Sequence, residues 1–249
     1  MAVTSQRLGR ILLVRMERPA KRNAVDAGMT SGLDAALNEL DDDPELLVGV
    51  LAGTPEAFSA GTDLAAGPGD PTARGGNYGV VRRRRSRPLI AAAEGLAYGG
   101  GFEIVLACDL VVASRAARFA LPEVARGVIA NCGALFRTHR ALPLNVAKQM
   151  LLTGQPLSAE RAYELGLVNE LTEPGGAETA ALRLAGQIVA NAPVAVSESL
   201  RALEATAAEP DERGWRVTEE AAAKVKSSND YREGVDAFLA KRPPSWTGT

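Results

Sequence analysis

Short apolar runs recur through the first half of the chain and predict buried strands. Such runs cover residues 10–16, 46–52, 89–93 and 110–113, and proline, glycine or charged residues adjoin most of them. Between the first two runs, Met29, Leu33, Leu37 and Leu40 recur at helical spacing. This spacing predicts a helix over 26–40 that begins after Asp26 as its N-cap. The order is strand, helix, strand, and then a glycine-bearing loop over 57–64.

The second half of the chain reads as helical. Helices are predicted over 145–153 and 158–165, and over the alanine-rich stretches 178–190, 194–207, 211–226 and 229–241. Alanine, glutamate and arginine favour helices. We expect the exposed faces of this tail to pack on another subunit.

Three consecutive glycines, Gly99 to Gly101, follow the predicted strand over 89–93. Glycines serve where backbone approaches another group closely or takes a positive φ. The apolar stretch 102–108 predicts a short buried helix that starts at these glycines, with Glu103 in its first turn. Free amides at a helix start attract anions, which suggests a ligand site. Close helix–sheet packing, with a glutamate favoured by the helix dipole, is the alternative that spacing alone leaves open.

Two further segments are candidates for the same site as the glycines. The loop over 57–64 also follows a strand, so both loops are expected to present amides to one atom. Glu123, after Leu121 and Pro122, opens a second acidic site, although a surface or capping carboxylate is the ordinary fate of such a residue.

Composition narrows the class of protein. The chain has 249 residues, of which 46% are hydrophobic, enough for one large domain or a domain with a helical appendage. Its net charge of −2 implies no bulk attraction to nucleic acid or membrane. Without a signal peptide or a membrane-length apolar stretch, a cytoplasmic protein is expected. Cys108 and Cys132 are expected to be unpaired core thiols, and the single histidine excludes a histidine-rich metal centre, so no metal is predicted.

The glycine run carries a family resemblance. The pattern A-x-x-G-x-A-x-G-G-G-x-E, from Ala92 to Glu103, resembles the core of the crotonase (enoyl-CoA hydratase/isomerase) family, and the similarity extends over nearly the whole chain. It implies an α/β fold, a crotonase-like spiral of ββα units over 1–190 that holds CoA and the active site. A C-terminal helical trimerisation region over 191–249 would follow. The implied assembly is a homotrimer or a dimer of trimers.

The resemblance also implies a chemistry. Members of the family hold a thioester enolate in an oxyanion hole of two backbone amides, which correspond here to Thr62 and Gly100. The two hydratase glutamates correspond to Glu103 and Glu123, without a strict assignment of acid and base. The expected reaction is reversible addition of water to a 2-enoyl-CoA, giving a 3-hydroxyacyl-CoA. No cofactor is bound permanently, since coenzyme A enters as part of the substrate. The implied contacts to substrate or CoA are Lys21, Arg22, Ala60, Asp63, Leu64, Asn131, Phe238 and Lys241.

One departure from the family pattern concerns the catalytic water. Hydratases continue after the second glutamate into a glycine-rich loop, whereas this chain has Asn131 where a glycine helps to position the water. An asparagine there would crowd the water or contact a polar acyl substituent. An enoyl-CoA isomerase, or a dehydratase of a modified acyl-CoA such as carnitinyl-CoA, is therefore an alternative.

Two other classes of protein, a serine hydrolase and an RNA-binding protein, are alternatives. Ser59, Asp109 and His139 occur in the order of a serine hydrolase triad, but position 57 is alanine where a nucleophile elbow needs glycine. The arginines at 82–85 and 87 suggest either a solvated helix face or the phosphate patch of an RNA-binding relative. Nucleic acid is an unlikely partner because both glutamates are retained. The glycine-rich stretch 67–79 predicts a mobile segment.

Overall fold

The structure is a computed structural model that describes residues 2–247, with side chains described outside 206–211. The strands are β1 (Val3–Leu8), β2 (Ile11–Met16), β3 (Val48–Ala52), β4 (Ala57–Ser59), β5 (Leu89–Ala93), β6 (Leu96–Tyr98), β7 (Leu110–Ser114), β8 (Arg118–Ala120), β9 (Leu157–Ser158) and β10 (Glu170–Thr172). The helices are α1 (Ala27–Asp42), α2 (Gly100–Leu106), α3 (Ala134–Ala141), α4 (Leu144–Thr153), α5 (Ala159–Glu164), α6 (Ala177–Val189), α7 (Pro193–Lys226) and α8 (Asn229–Leu239).

The strands of residues 2–247 alternate between two sheets. One is six-stranded, in the order β1-β2-β3-β5-β7-β10, and the other is four-stranded, in the order β4-β6-β8-β9. Thus β3, β5 and β7 each enter the first sheet, and the strand that follows each enters the second. Pairing is parallel except for β1 with β2 and β8 with β9. A chain that places one strand in each sheet on every turn is a spiral, so the predicted spiral is confirmed.

The apolar runs form the middle of the larger sheet. All residues of β3 and β5 are buried, as expected for parallel strands covered on both faces. One face packs on the alanines of α6, and the other packs on α1 and α2 through side chains such as Leu33, Leu37 and Phe102. Asp26 caps α1 as predicted, because its side chain accepts a hydrogen bond from the amide of Met29.

The elements that sequence reasoning missed are mostly short. Strands β4, β6 and β8 have three residues each, too few to show an alternating pattern. The prediction of two helices over 194–207 and 211–226 was wrong, since α7 is one helix of 34 residues that continues through position 210. A proline in a helix interior removes one backbone hydrogen bond, but here the helix persists on both sides of it.

The second sheet determines where the site lies. Strand β6 pairs in parallel with β4 on one side and with β8 on the other. The carboxyl ends of the three strands therefore meet at one edge, where parallel sheets commonly bind ligands. The loops that leave this edge carry Thr62, Gly100 and Glu123.

Candidate active site

The loops after β4 and β6 touch each other at Gly61. This glycine has φ +86°, and a Cβ placed on it would lie 2.7 Å from the carbonyl oxygen of Tyr98 and 2.9 Å from the amide nitrogen of Gly100. Only glycine fits so close to the other loop in this conformation. Thr62 therefore lies beside the start of α2, where first-turn amides have no partner within the helix. That the Thr62 and Gly100 amides form an oxyanion hole is compatible with this geometry and stays a prediction.

The loop over 60–63 is held by the segment around Asn23. The amide of Ala60 donates to the carbonyl of Arg22 (2.9 Å), and the amide of Val25 donates to that of Gly61 (2.7 Å). Asn23 is buried at φ +54°, and its side-chain amide donates to the carbonyls of Ala57 and Phe58. Lys21 and Arg22 are exposed on the same turn. The structure thus brings these two predicted CoA contacts beside the loop over 60–63.

Glu103 is buried in the first turn of α2, with 2% of its surface exposed. Its Oε1 accepts hydrogen bonds from the amides of Cys132 (2.7 Å) and Ala134 (3.1 Å), at the start of α3. Burial raises the pKa of Glu103 to about 7, and the two amide hydrogen bonds oppose that rise because they favour the ionised form. This carboxyl therefore titrates closer to neutral pH than an exposed glutamate does.

Glu123 lies in the turn after β8, over the triple glycine. A Cβ added to Gly99 would lie 3.0 Å from its Oε1. Its Oε2 is buried and has no hydrogen-bond partner within the described part of the chain. Burial raises the pKa of Glu123 to about 8, and the charge of Glu103 adds to the rise. Two neighbouring carboxyls with raised pKa values gain and lose protons near neutral pH, as acid–base pairs do.

Tyr78 is a site residue that sequence reasoning missed. Only 4% of its surface is exposed, and its hydroxyl lies 2.9 Å from Oγ1 of Thr62. Its ring lies over Gly100, because a Cβ there would lie 2.6 Å from Cζ of Tyr78. The only sequence signal is its position among glycines. The stretch 67–79, predicted to be mobile, packs against α1 here, with Oγ1 of Thr72 donating to Asp34 (2.7 Å).

The remaining predicted contacts lie at several places around the site. The carboxylate of Asp63 accepts from Arg18 (2.9 Å) and from the amides of Ala65 and Ala66, and the hydrogen bond from Arg18 lowers its pKa. Asp63 thus orders its own loop, and Leu64 beside it is half-buried.

Asn131 is exposed next to Cys132, on an open cavity of about 490 Å³. The residues that line this cavity are both polar and apolar, and they come from the 71–82 segment, from Asn131 itself and from α7. They include Thr72, Arg74, Asn77, Arg82 and Glu219. Arg82 pairs with Glu219, and Arg74 pairs with Asp41 and Asp42. Neither arginine is therefore an unpaired cation in the cavity.

Phe238 lies in α8, and Lys241 follows this helix. Helix α8 packs on the turn Pro122–Arg126, and the guanidinium of Arg126 lies 5.2 Å from the ring centroid of Phe238. Lys241 is exposed. Phe238 thus lies beside the Glu123 turn, while Lys21 and Arg22 lie beside the loop over 60–63.

The serine hydrolase alternative was wrong. The hydroxyl of Ser59 donates to the carbonyl of Asn23 (2.8 Å), and Asp109 accepts from Arg85 and from the amide of Leu89. Neither contact involves His139, which lies exposed on α3.

The arginine run is neither a helix nor a free cationic patch. Arg83 is buried against Asp34 and Asp41, and Arg85 pairs with Asp109. Arg82 and Arg84 pair with Glu219 and Glu212 on α7. These carboxylates of the same chain pair with four of the five arginines, which a phosphate patch would need as free cations.

Among the described residues, no group of three or more histidine, cysteine, aspartate or glutamate side chains is placed to hold a metal ion. Within the same part of the chain, every helix is too short or too polar to cross a membrane.

Comparison with known proteins establishes the family. The model of the enoyl-CoA hydratase/isomerase family matches residues 6–249. Enoyl-CoA hydratase EchA19 of Mycobacterium tuberculosis is 37% identical over 97% of this chain and 94% of its own length. A carnitinyl-CoA dehydratase of Salmonella enteritidis is 38% identical, with 97% of each chain covered. The solved structure of a carnitinyl-CoA dehydratase from Mycobacterium avium matches with a TM-score of 0.92 at 42% identity, covering 100% of this chain and 99% of that one. The chain belongs to the enoyl-CoA hydratase/isomerase, or crotonase, family.

Proposed function

We propose that this protein is an enoyl-CoA hydratase that adds water reversibly to a 2-enoyl-CoA and gives a 3-hydroxyacyl-CoA. The observation that supports it most strongly is the pair of carboxyls, buried Glu103 and half-buried Glu123, next to the meeting point of the two glycine loops. Hydration needs a base for the attacking water and an acid for the α-carbon, and two carboxyls of different pKa supply both.

The proposed steps follow from the partners of each carboxyl. The thioester oxygen accepts hydrogen bonds from the amides of Thr62 and Gly100, which stabilise the enolate as charge moves onto that oxygen. Ionised Glu103, the lower-pKa member of the pair, takes a proton as the water oxygen bonds to the β-carbon. Glu123 gives its proton to the α-carbon. One proton then passes from Glu103 to Glu123, which restores both groups.

Coenzyme A is proposed to enter as part of the substrate rather than as a bound cofactor. The exposed cations Lys21 and Arg22, on the oxyanion-loop side, are suited to its phosphates, and Phe238 and Lys241 would meet it from the Glu123 side. Ala60 and Leu64 would border the thioester. Residues 1–190 would form the catalytic unit, and 191–249 the trimerisation region of a homotrimer or a dimer of trimers in the cytoplasm.

A second candidate is a dehydratase acting on an acyl-CoA with a polar substituent. The observation that favours it is the cavity beside Asn131, because Asn77, Arg82 and Glu219 also contribute polar groups to its lining. Two of the relatives named above are carnitinyl-CoA dehydratases. An isomerase, which moves a proton without adding water, would use the same oxyanion hole with one carboxyl.

The test compares three substrates with one set of variants. Wild type, Glu103→Gln and Glu123→Gln are incubated with crotonyl-CoA, and loss of the conjugated-enoyl absorbance is followed; Glu173→Gln, on an exposed side chain, is the matched control. Hydration predicts rapid loss that either site variant reduces by at least about 100-fold. Wild type that binds the thioester without consuming the conjugated bond would overturn simple hydration. A polar 3-hydroxyacyl-CoA and a 3-enoyl-CoA would then distinguish dehydratase from isomerase.

A further inference from the structure

Tyr78 is held in a strained conformation by the residues around it. Its φ is +59°, a left-handed value that is unusual for a bulky residue. On one side, Gly79 is pressed against α1, where a Cβ would lie 2.7 Å from the Thr30 carbonyl and from the Asp34 amide. Just beyond it, buried Arg83 pairs with Asp34 and Asp41. Strain of this kind persists only where packing enforces it, and it is concentrated at functional sites.

The enforced conformation places the phenol between the two predicted oxyanion residues. The hydroxyl is 2.9 Å from Oγ1 of Thr62, and the ring lies over Gly100, where any Cβ would clash with the hydroxyl. Burial raises the pKa of Tyr78 well above its usual value, and nearby Cys132 and Glu103 add to the rise. The phenol therefore keeps its proton across the working pH range and is a donor rather than a base.

We propose that Tyr78 is a third hydrogen-bond donor to the thioester oxygen of the substrate, oriented by the hydroxyl of Thr62. In the free protein, the two hydroxyls bond to each other. When negative charge develops on the thioester oxygen, the phenol turns its proton to that oxygen, and the Thr62 hydroxyl donates to the phenol oxygen in return. A chain of two donors that polarise each other strengthens the terminal bond. The inference rests on the proposed acyl-thioester site, but not on hydration as the reaction.

The test uses Tyr78→Phe, which removes the hydroxyl and keeps the ring, and Tyr163→Phe as the control on an exposed side chain of α5. The first readout is turnover of crotonyl-CoA. Losing one donor is expected to lower kcat by about 10- to 100-fold, with KM changed by less than about threefold, because the bond strengthens in the transition state. Thr62→Val should produce a smaller loss in the same direction, and Tyr163→Phe should match wild type.

The second readout does not require turnover. Butyryl-CoA labelled with ¹³C at the thioester carbonyl cannot be hydrated, and its infrared carbonyl band reports polarisation in the bound state. Tyr78→Phe should move this band to higher frequency than in wild type. An unchanged band in a variant whose circular dichroism matches wild type would overturn the inference, even if kcat fell, because the loss would then be structural. If wild type polarises the carbonyl but does not hydrate crotonyl-CoA, the proposed reaction fails and the band alone decides the role of Tyr78.

Discussion

Glu103 and Glu123 differ in the groups that face them. Two amides donate to one oxygen of Glu103, whereas an oxygen of Glu123 is buried without a partner in the described chain. Hydrogen bonds to a carboxylate favour ionisation, and burial opposes it. The same residue type therefore meets two different environments within one site, and the pKa of Glu123 is raised further than that of Glu103.

This difference predicts a narrow pH optimum. The proposed mechanism needs Glu103 ionised, so kcat/KM for crotonyl-CoA should fall as the pH drops below about 7. It also needs Glu123 protonated, so kcat/KM should fall as the pH rises above about 8. The acidic and basic limbs of the pH profile report the coupled pair of carboxyls rather than either residue alone. A profile that stays flat from about pH 5 to 9 would show that the carboxyls do not divide the work in this way.

The raised pKa of Glu123 also predicts how stability depends on pH. The folded chain holds this proton more tightly than the unfolded chain, whose carboxyl titrates near about 4.3. Stability is therefore lost as the pH rises from that value to about 8. Glu123→Gln removes the loss, so its urea midpoint relative to wild type should increase between pH 5 and pH 8. The same comparison for Glu173→Gln, with its exposed carboxyl, should show no such increase.

At the scale of the element, the site depends on how closely α2 approaches β4. A Cβ on Gly101 would clash with the carbonyl oxygen of Ser59 and would lie 2.9 Å from its Cβ. The last residue of β4 therefore packs on the first turn of α2, and the loop that carries Thr62 starts from that contact.

Two glycine substitutions within helices test this packing. Gly101→Ala should destabilise the fold by about 1–3 kcal/mol, the usual cost of overpacking, and should lower activity by displacing the loop that carries Thr62. Gly186→Ala in α6 is the control, since nothing lies within 4 Å of its Cβ position. The control should be neutral or stabilising by up to about 1 kcal/mol, because alanine favours a helix over glycine. Equal urea midpoints for the two variants would contradict the packing argument.

The same elements show what the sequence could predict. The strand over 89–93, the cap of α1 at Asp26 and the start of α2 at the glycines were all correctly predicted, because each depends on local pattern. Tyr78 was missed because its position depends on packing between α1 and the 67–79 segment. The spacing of residues in the sequence does not indicate this packing. The proximity of Glu123 to the glycines followed only from the family resemblance, since β6 and β8 pair across a whole turn of the spiral.

At the scale of the whole molecule, α7 packs against α3 and lines the cavity beside Asn131. Trp215 stacks edge-on against Phe136 of α3, with ring centroids 5.1 Å apart, and Arg82 lies 4.0 Å from the Trp215 ring. Glu219, one turn further along α7, pairs with the same arginine. This cluster joins the C-terminal helix to the segment that carries Tyr78.

Removing the cluster should loosen α7 without unfolding the core. In Trp215→Ala, amide hydrogen exchange over 212–226 should accelerate while exchange in β3 and β5 stays at the wild-type rate. KM for an acyl-CoA should rise, because one wall of the cavity becomes mobile. Trp246→Ala, which removes the other tryptophan from near Gly127, is the control and should leave exchange in α7 unchanged. Wild-type exchange in Trp215→Ala would show that other contacts hold the helix.

The alternation of strands between two sheets has a consequence for how such a protein can diversify. The amides of Thr62 and Gly100 leave two successive turns of the spiral, and Glu123 leaves a third, so each contribution resides on a separate peptide segment. Under the proposed function, substitutions in the loop after β8 would alter proton transfer while the proposed contacts to the thioester stay intact. A new reaction could then arise from changes in one loop, with the binding of the substrate preserved.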